Sequence, residues 1–151
     1  MNGTYIHGDE AVVFVFSDIK EDENQLLVGI PKELVMIEFF VETEDEIHAA
    51  FAKRADGYVR VYVQINESIT LSSDLEIPQG CTLDLEDQMV LRVPQGKALI
   101  NNGGIGILNG STLLIEEGAE LENNAFVEVV GTLNVQGNHS GNKVDIYEGA
   151  Y

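Results

Sequence analysis

"GKALINNGGIGILNGSTLLIEEGAELENNAFVEVVGTLNVQG", Gly96 to Gly137, carries nearly the same message twice. Setting Gly118 under Gly96 pairs Leu99 with Leu121, Asn101 with Asn123, Asn102 with Asn124, Ile105 with Val127 and Ile107 with Val129, all 22 residues apart. Thr112, Leu113 and Ile115 then match Thr132, Leu133 and Val135 at a spacing of 20, which implies a two-residue deletion in a loop. Upstream, LEIPQG at 75–80 recurs as LRVPQG at 91–96, a spacing of 16. Repeats of about 20 residues mark a solenoid.

The period inside each repeat selects the kind of solenoid. Apolar residues alternate over three to five positions (Leu83/Leu85, Leu91/Val93, Leu113/Ile115, Leu133/Val135), and Gly, Pro or Asn punctuates them. That is strand-and-turn patterning, with no room for a helix. Each repeat is therefore expected to be one coil of a parallel β-helix, with equivalent residues stacked roughly 4.8 Å apart. Residues 68–137 would supply about three and a half coils, a stack about 17 Å high. Gly96 and Gly118 fit corners whose backbone is closed to side-chain-bearing residues, and Asn101 over Asn123 can pass amide hydrogen bonds from coil to coil. A polar ligand groove built from the asparagines is the weaker reading, because Asn101 and Asn123 share parity with the inward Leu99 and Leu121.

The stretch "ETEDEIHAAFAKRADGYVRVYVQINESITLSSDLEIPQGCTLDLEDQMVLRVPQG" resembles the start of a right-handed parallel β-helix of the pectin-lyase-like superfamily. Its members show a capping helix, a first strand and then a coil of the pattern sDLxIPxGxTLDL. The resemblance runs from Val41 to Gly137 and implies the fold and the right-handed winding. It implies little about activity, since the superfamily holds lyases, hydrolases, phage tailspikes and adhesins. The residues support the helix independently. Thr43 with Glu46 forms a capping box, Ile47, Ala50 and Phe51 share an apolar face, and Gly57 offers a stop. Such a helix would close the first coil. His48 lies off that face and reads as solvated.

Residues 1–40 stand outside the repeat. AVVFVF (11–16), LLVGI (26–30) and LVMIEFFV (34–41) read as three strands of a small antiparallel meander, with a helix over Pro31–Phe40 as the alternative. The division is thus a meander or docking segment at 1–40 and a helix-capped β-helix at 41–151. Lys143 to Tyr147 is expected to add a last strand covering the far end.

Composition narrows the partners. Twenty-six acidic against eight basic residues give a formal charge of -18, which repels phosphate backbones and argues against nucleic acid. No apolar run approaches the 18 residues of a membrane span, and the N-terminus lacks the basic and apolar regions of a signal peptide. The single cysteine, Cys81, reads as a packed thiol. The histidines are too dispersed for a zinc site.

Outward carboxylates are the remaining chemistry. Asp84 and Glu86 flank inward Leu85, and Glu120 and Glu122 flank Leu121, so each pair projects from one face of its strand. Such pairs serve as acid and base or hold calcium. The resemblance would also ask for an arginine near them, and only Arg92 projects outward near Asp84 and Glu86. Asp84, Glu86, Arg92 and Glu122 are therefore the binding set of a carbohydrate-binding or polysaccharide-cleaving reading, with calcium as its one candidate cofactor. The primary expectation is different. It is a non-catalytic structural or adhesive module for assembly or display, without catalytic residues, cofactor or metal. Its setting would be a virion tail or decoration part, or a bacterial surface protein, with a protein partner or self-association.

Overall fold

The computed structural model describes residues 2–7, 10–15 and 36–146. Strands β1 (Asn2–His7) and β2 (Glu10–Val15) pair antiparallel, and β2 pairs antiparallel with β3 (Met36–Val41). The expected strand at 26–30 lies outside the described residues, whereas β1 was not anticipated. Over Met36–Phe40 the chain is strand, so the alternative helix does not form there. β3 crosses position 40 and pairs in parallel with β4 (Arg60–Ile65). The meander therefore continues directly into a face of the solenoid.

Four coils follow, each contributing one strand to each of three sheets. The first holds β4, β5 (Ile69–Thr70) and β6 (Leu75–Ile77). The second holds β7 (Cys81–Leu85), β8 (Val90–Val93) and β9 (Ala98–Asn101). β10 (Gly104–Ile107), β11 (Thr112–Ile115) and β12 (Glu120–Asn123) form the third. The fourth holds β13 (Phe126–Val129), β14 (Thr132–Val135) and β15 (Asn138–Gly141). β16 (Asp145–Ile146) pairs with β13 and begins another layer. The first sheet thus runs β1-β2-β3-β4-β7-β10-β13-β16, beside two sheets of four strands.

The register follows the repeat. Leu121 lies on Leu99, Asn123 on Asn101, Val127 on Ile105 and Val129 on Ile107, all in parallel. Leu133 lies on Leu113 and Val135 on Ile115, at the shorter spacing. Alternate residues enter the prism and build a core of Ile, Leu and Val columns, most of them fully buried. The 16-residue recurrence has another meaning. Leu75 lies under Leu99 in the third sheet, while Leu91 sits on Ile69 in the second. LEIPQG and LRVPQG share a kind of corner, at different edges of the prism, and not a column.

That corner is a four-residue turn used five times. The N–H groups of Cys81, Met89, Lys97, Ser111 and Ala119 donate to the carbonyls three residues earlier. The third residue of each turn has positive φ while the second does not: Gly80, Gln88, Gly96, Gly110 and Gly118. These are type II turns, which require a left-handed residue in third place. Gly96 and Gly118 stack there at φ 82 each, with the Gly96 N–H donating to the Gly118 carbonyl at 3.0 Å.

α1 (Glu44–Phe51) closes the first coil. Thr43 caps it, its hydroxyl oxygen accepting from the Glu46 N–H at 3.2 Å, while Glu46 accepts from the Glu42 N–H. Ile47, Ala50 and Phe51 are buried on the core, a 3-10 turn spans Ala52–Asp56, and Gly57 ends it at φ 103. Two side chains fasten this cap to the coil. The Glu44 carboxylate accepts from the N–H and hydroxyl of both Ser72 and Ser73 at 2.8–3.1 Å. Burial pushes that carboxyl up, but the four donors outweigh it and hold it at about 2. The Arg54 guanidinium donates to the carbonyls of Gln79 and Tyr58.

The opposite end differs. The expected strand at 143–147 exists only over Asp145–Ile146, extends the first sheet, and leaves Ile146 64% exposed; Tyr147 lies outside the described residues. It covers the fourth coil only in part, with Val144 packed against the core and Asp145–Ile146 paired with β13. Among the described residues nothing pairs with the outer edges of β14 and β15.

Candidate functional site

Alternation decides which side chains leave the first sheet. One outward column runs Glu38, Tyr62, Thr82, Gly104 and Phe126, and the next runs Phe40, Gln64, Asp84, Gly106, Glu128 and Asp145. Two successive outward positions of β10 are glycines, so the third coil presents bare backbone. The neighbours fold over it: the Phe126 ring occupies the space a Cβ on Gly104 would need, and the Asp84 carboxylate does the same over Gly106.

The result is a shallow aromatic and acidic strip. Tyr62 and Phe126 bracket it, three layers or about 14 Å apart by strand spacing, and Phe126 remains 48% exposed. Glu38 accepts a hydrogen bond from the Gln64 amide. Asp84 is partly buried. Burial first, then the negative charges of Glu86, Glu128 and Glu38, push its carboxyl up to about 6. Chemically the strip offers a carboxyl that exchanges a proton near neutrality beside two rings able to stack on an apolar surface. Tyr62 and the glycine gap were overlooked in the sequence. The alternation G-I-G-I at 104–107 was the available signal, since glycine at every outward position empties that part of the face.

The four residues grouped by sequence do not come together. Asp84 and Glu86 stay on the first sheet and its edge, Arg92 projects from β8 in the second, and Glu122 projects from β12 in the third. Arg92 stands against Glu116 of the next coil, Nη1 to Oε1 2.8 Å. Glu122 accepts from the Asn124 amide at 2.7 Å, and Asn124 donates also to Asn102, whose own amide donates to Glu76. This outer ladder ties three coils together on the third sheet.

Inside the prism Asn101 and Asn123 are fully buried. The Asn101 Nδ2 donates to Asn123 Oδ1 and to the Phe126 carbonyl, both at 2.8 Å, while its Oδ1 accepts from the Gly103 N–H at 3.2 Å. Asn123 repeats the pattern, accepting from the Ala125 N–H and donating toward the carbonyls of Asn142 and Lys143. An unpaired buried amide would cost about 1–3 kcal/mol. Among the described residues no buried side-chain polar atom lacks a partner.

Cys81 is buried, and burial, only partly offset by the Arg54 charge, pushes its thiol up to about 11. It is inert at neutral pH. Among the described residues no three His, Cys, Asp or Glu side chains are placed to hold one metal ion, and no helix is long and apolar enough to cross a membrane. The chain matches no family model, and no similar curated protein or solved structure is found.

Proposed function

We propose that this protein is a non-catalytic structural module, a short acidic β-solenoid that serves assembly or display. The observation that carries the reading is dispersal. Asp84, Arg92 and Glu122 leave the prism on three different sheets, so these carboxylates and Arg92 do not meet in one cleft. Arg92 is engaged by Glu116 and Arg54 by backbone carbonyls. The buried asparagines bond to one another and to the backbone, so polar chemistry is used to hold the coils. A rod of this kind presents flat faces at fixed spacing. A virion tail or decoration part and a bacterial surface protein are the two settings that suit it, and its partner is a protein or a further copy.

The strip on the first sheet favours a second reading, carbohydrate recognition. Two aromatics and a protonatable carboxyl along one face suit a sugar's apolar face and hydroxyls. A glycan array probed with the full chain, with and without calcium, separates the two. The structural reading expects no glycan bound above background. Binding that disappears in Asp84→Ala and Phe126→Ala, both of them folded, would replace it with the carbohydrate reading.

A further inference from the structure

The two ends of the prism are unlike: among the described residues no helix caps the fourth coil, and that end has the chemistry of an interface. In a parallel ladder the N–H and C=O of one residue turn to the same neighbour, and successive residues alternate. The N–H groups of Thr132 and Gln136 donate back to Ser111 and Ile115 of the third coil. Leu133 and Val135 consequently turn their backbone groups to the open side of β14. On β15 Asn138 and Asn142 donate back to Ala119 and Asn123, which leaves His139 and Gly141 facing outward along the axis.

Natural edge strands are usually blunted with lysine, proline or inward-pointing charge. TLNVQGNHSG, 132–141, contains no Pro, Asp, Glu, Lys or Arg. Over 126–146 the formal charge is only -1, Lys143 against Glu128 and Asp145, in a chain of -18. Two copies repel one another over most of their surface, and this end is where they can approach without that cost. The interior is unfinished there as well. The column Leu75–Leu99–Leu121 ends in exposed His139, and Leu133 and Val135 are only partly covered.

We propose that two copies of this chain join tail to tail through their fourth coils, the open edges of β14 and β15 in one copy pairing antiparallel with those of the other. This rests on the assembly reading and names its partner. Like ends meet, because α1, packed on the first coil and bound through Glu44 to Ser72 and Ser73 between β5 and β6, stands where a second copy would have to stack on the edges of those two strands. A two-fold axis across the solenoid makes a row of alternating donors and acceptors complementary to itself. One coil end covers less than the roughly 800 Å² per partner of a standard interface, so the contact is weak and concentration-dependent.

Sedimentation equilibrium of the full chain, carried to about 1 mM because weak contacts populate in that range, is expected to show twice the mass of one chain. Amide exchange on the same unmodified protein, concentrated and dilute, is expected to slow at Leu133, Val135, His139 and Gly141 by at least about tenfold on concentration. Protection of β4 should stay the same. The variant His139→Lys/Asn134→Lys, at two exposed positions, should sediment as one chain with an unchanged unfolding midpoint. A monomer at about 1 mM, a dimer without the change at those four amides, or a folded variant that still dimerises would each overturn the proposal. Failure here leaves the assembly reading intact, whereas glycan binding lost in Asp84→Ala would end that reading even if the dimer formed.

Discussion

The first and fourth coils have the same three-strand plan, yet they are held very differently. The first is sealed by an amphipathic helix, tied at Ser72 and Ser73 by Glu44 and at Gln79 by Arg54, and its Leu75 and Ile77 are completely buried. The fourth has the same inward alternation, but Leu133 and Val135 are partly open and β15 is exposed along its length. Coil identity therefore does not set coil stability. What sets it is whether the next layer exists, because each strand buries its inward side chains against the layers on both sides.

Truncating one core-facing residue at each end exposes that difference. Phe51→Ala should destabilise by about 3–5 kcal/mol, read as a fall in the urea midpoint. Leu133→Ala, on the open layer, should cost about 1 kcal/mol. Equal losses would mean that the fourth coil is covered as well as the first.

The Glu44 clamp should rank next. Glu44→Gln keeps the shape but removes the charge from four hydrogen bonds, and about 2 kcal/mol should go with it. The carboxyl is held near 2 against an ordinary 4.5. The stability it contributes is complete above 4.5 and is lost as pH falls from there toward 2. Unfolding midpoints of wild type and Glu44→Gln should therefore converge over that window, and parallel curves would show that the clamp does not titrate with folding.

Asp84 should behave in the opposite sense. Its carboxyl rises from 3.8 to about 6 on folding, so the charged form opposes the fold at neutral pH and protonation relieves it as pH falls through 6. Asp84→Asn should stabilise by about 1–2 kcal/mol at pH 7–8, with the gain fading by pH 4. A stability maximum where the two windows overlap, near pH 4–5, would join both effects in one curve.

The smallest effect lies at a corner. Gln88 is the non-glycine in the five turns, with φ 70. Gln88→Gly should remove a strain of about 1 kcal/mol, less the added flexibility of the unfolded chain. A small rise in thermal midpoint would be the result. Loss of stability would mean that the glutamine side chain contributes more than its backbone costs.

Much of the solenoid could be read from spacing. Leu99 and Leu121, and Asn101 and Asn123, announce their columns because stacked coils demand like side chains at one period. The capping box at Thr43 and Glu46 was legible because it is local. The coil boundary was harder. LEIPQG and LRVPQG repeat because type II corners ask for glycine in third place, wherever on the prism the corner falls. β15 was missed since NHSG lacks an apolar pattern, and at an open edge it needs none. The candidate site fared worst. Parity told that Asp84, Arg92 and Glu122 point outward, but not toward which side.

Alternation, glycine-bearing turns and a 22-residue beat were enough for the sequence by itself to specify a stacked parallel coil with a helix at its start, since each is a local rule applied repeatedly. Which outward residues share a sheet, that Phe126 and Asp84 cover the two glycines of the strip beside Tyr62, and that among the described residues a helix closes one end and none caps the other were decided by the tertiary structure alone. Those properties depend on how far the chain turns between strands and on what stacks above and below, and a linear pattern records neither.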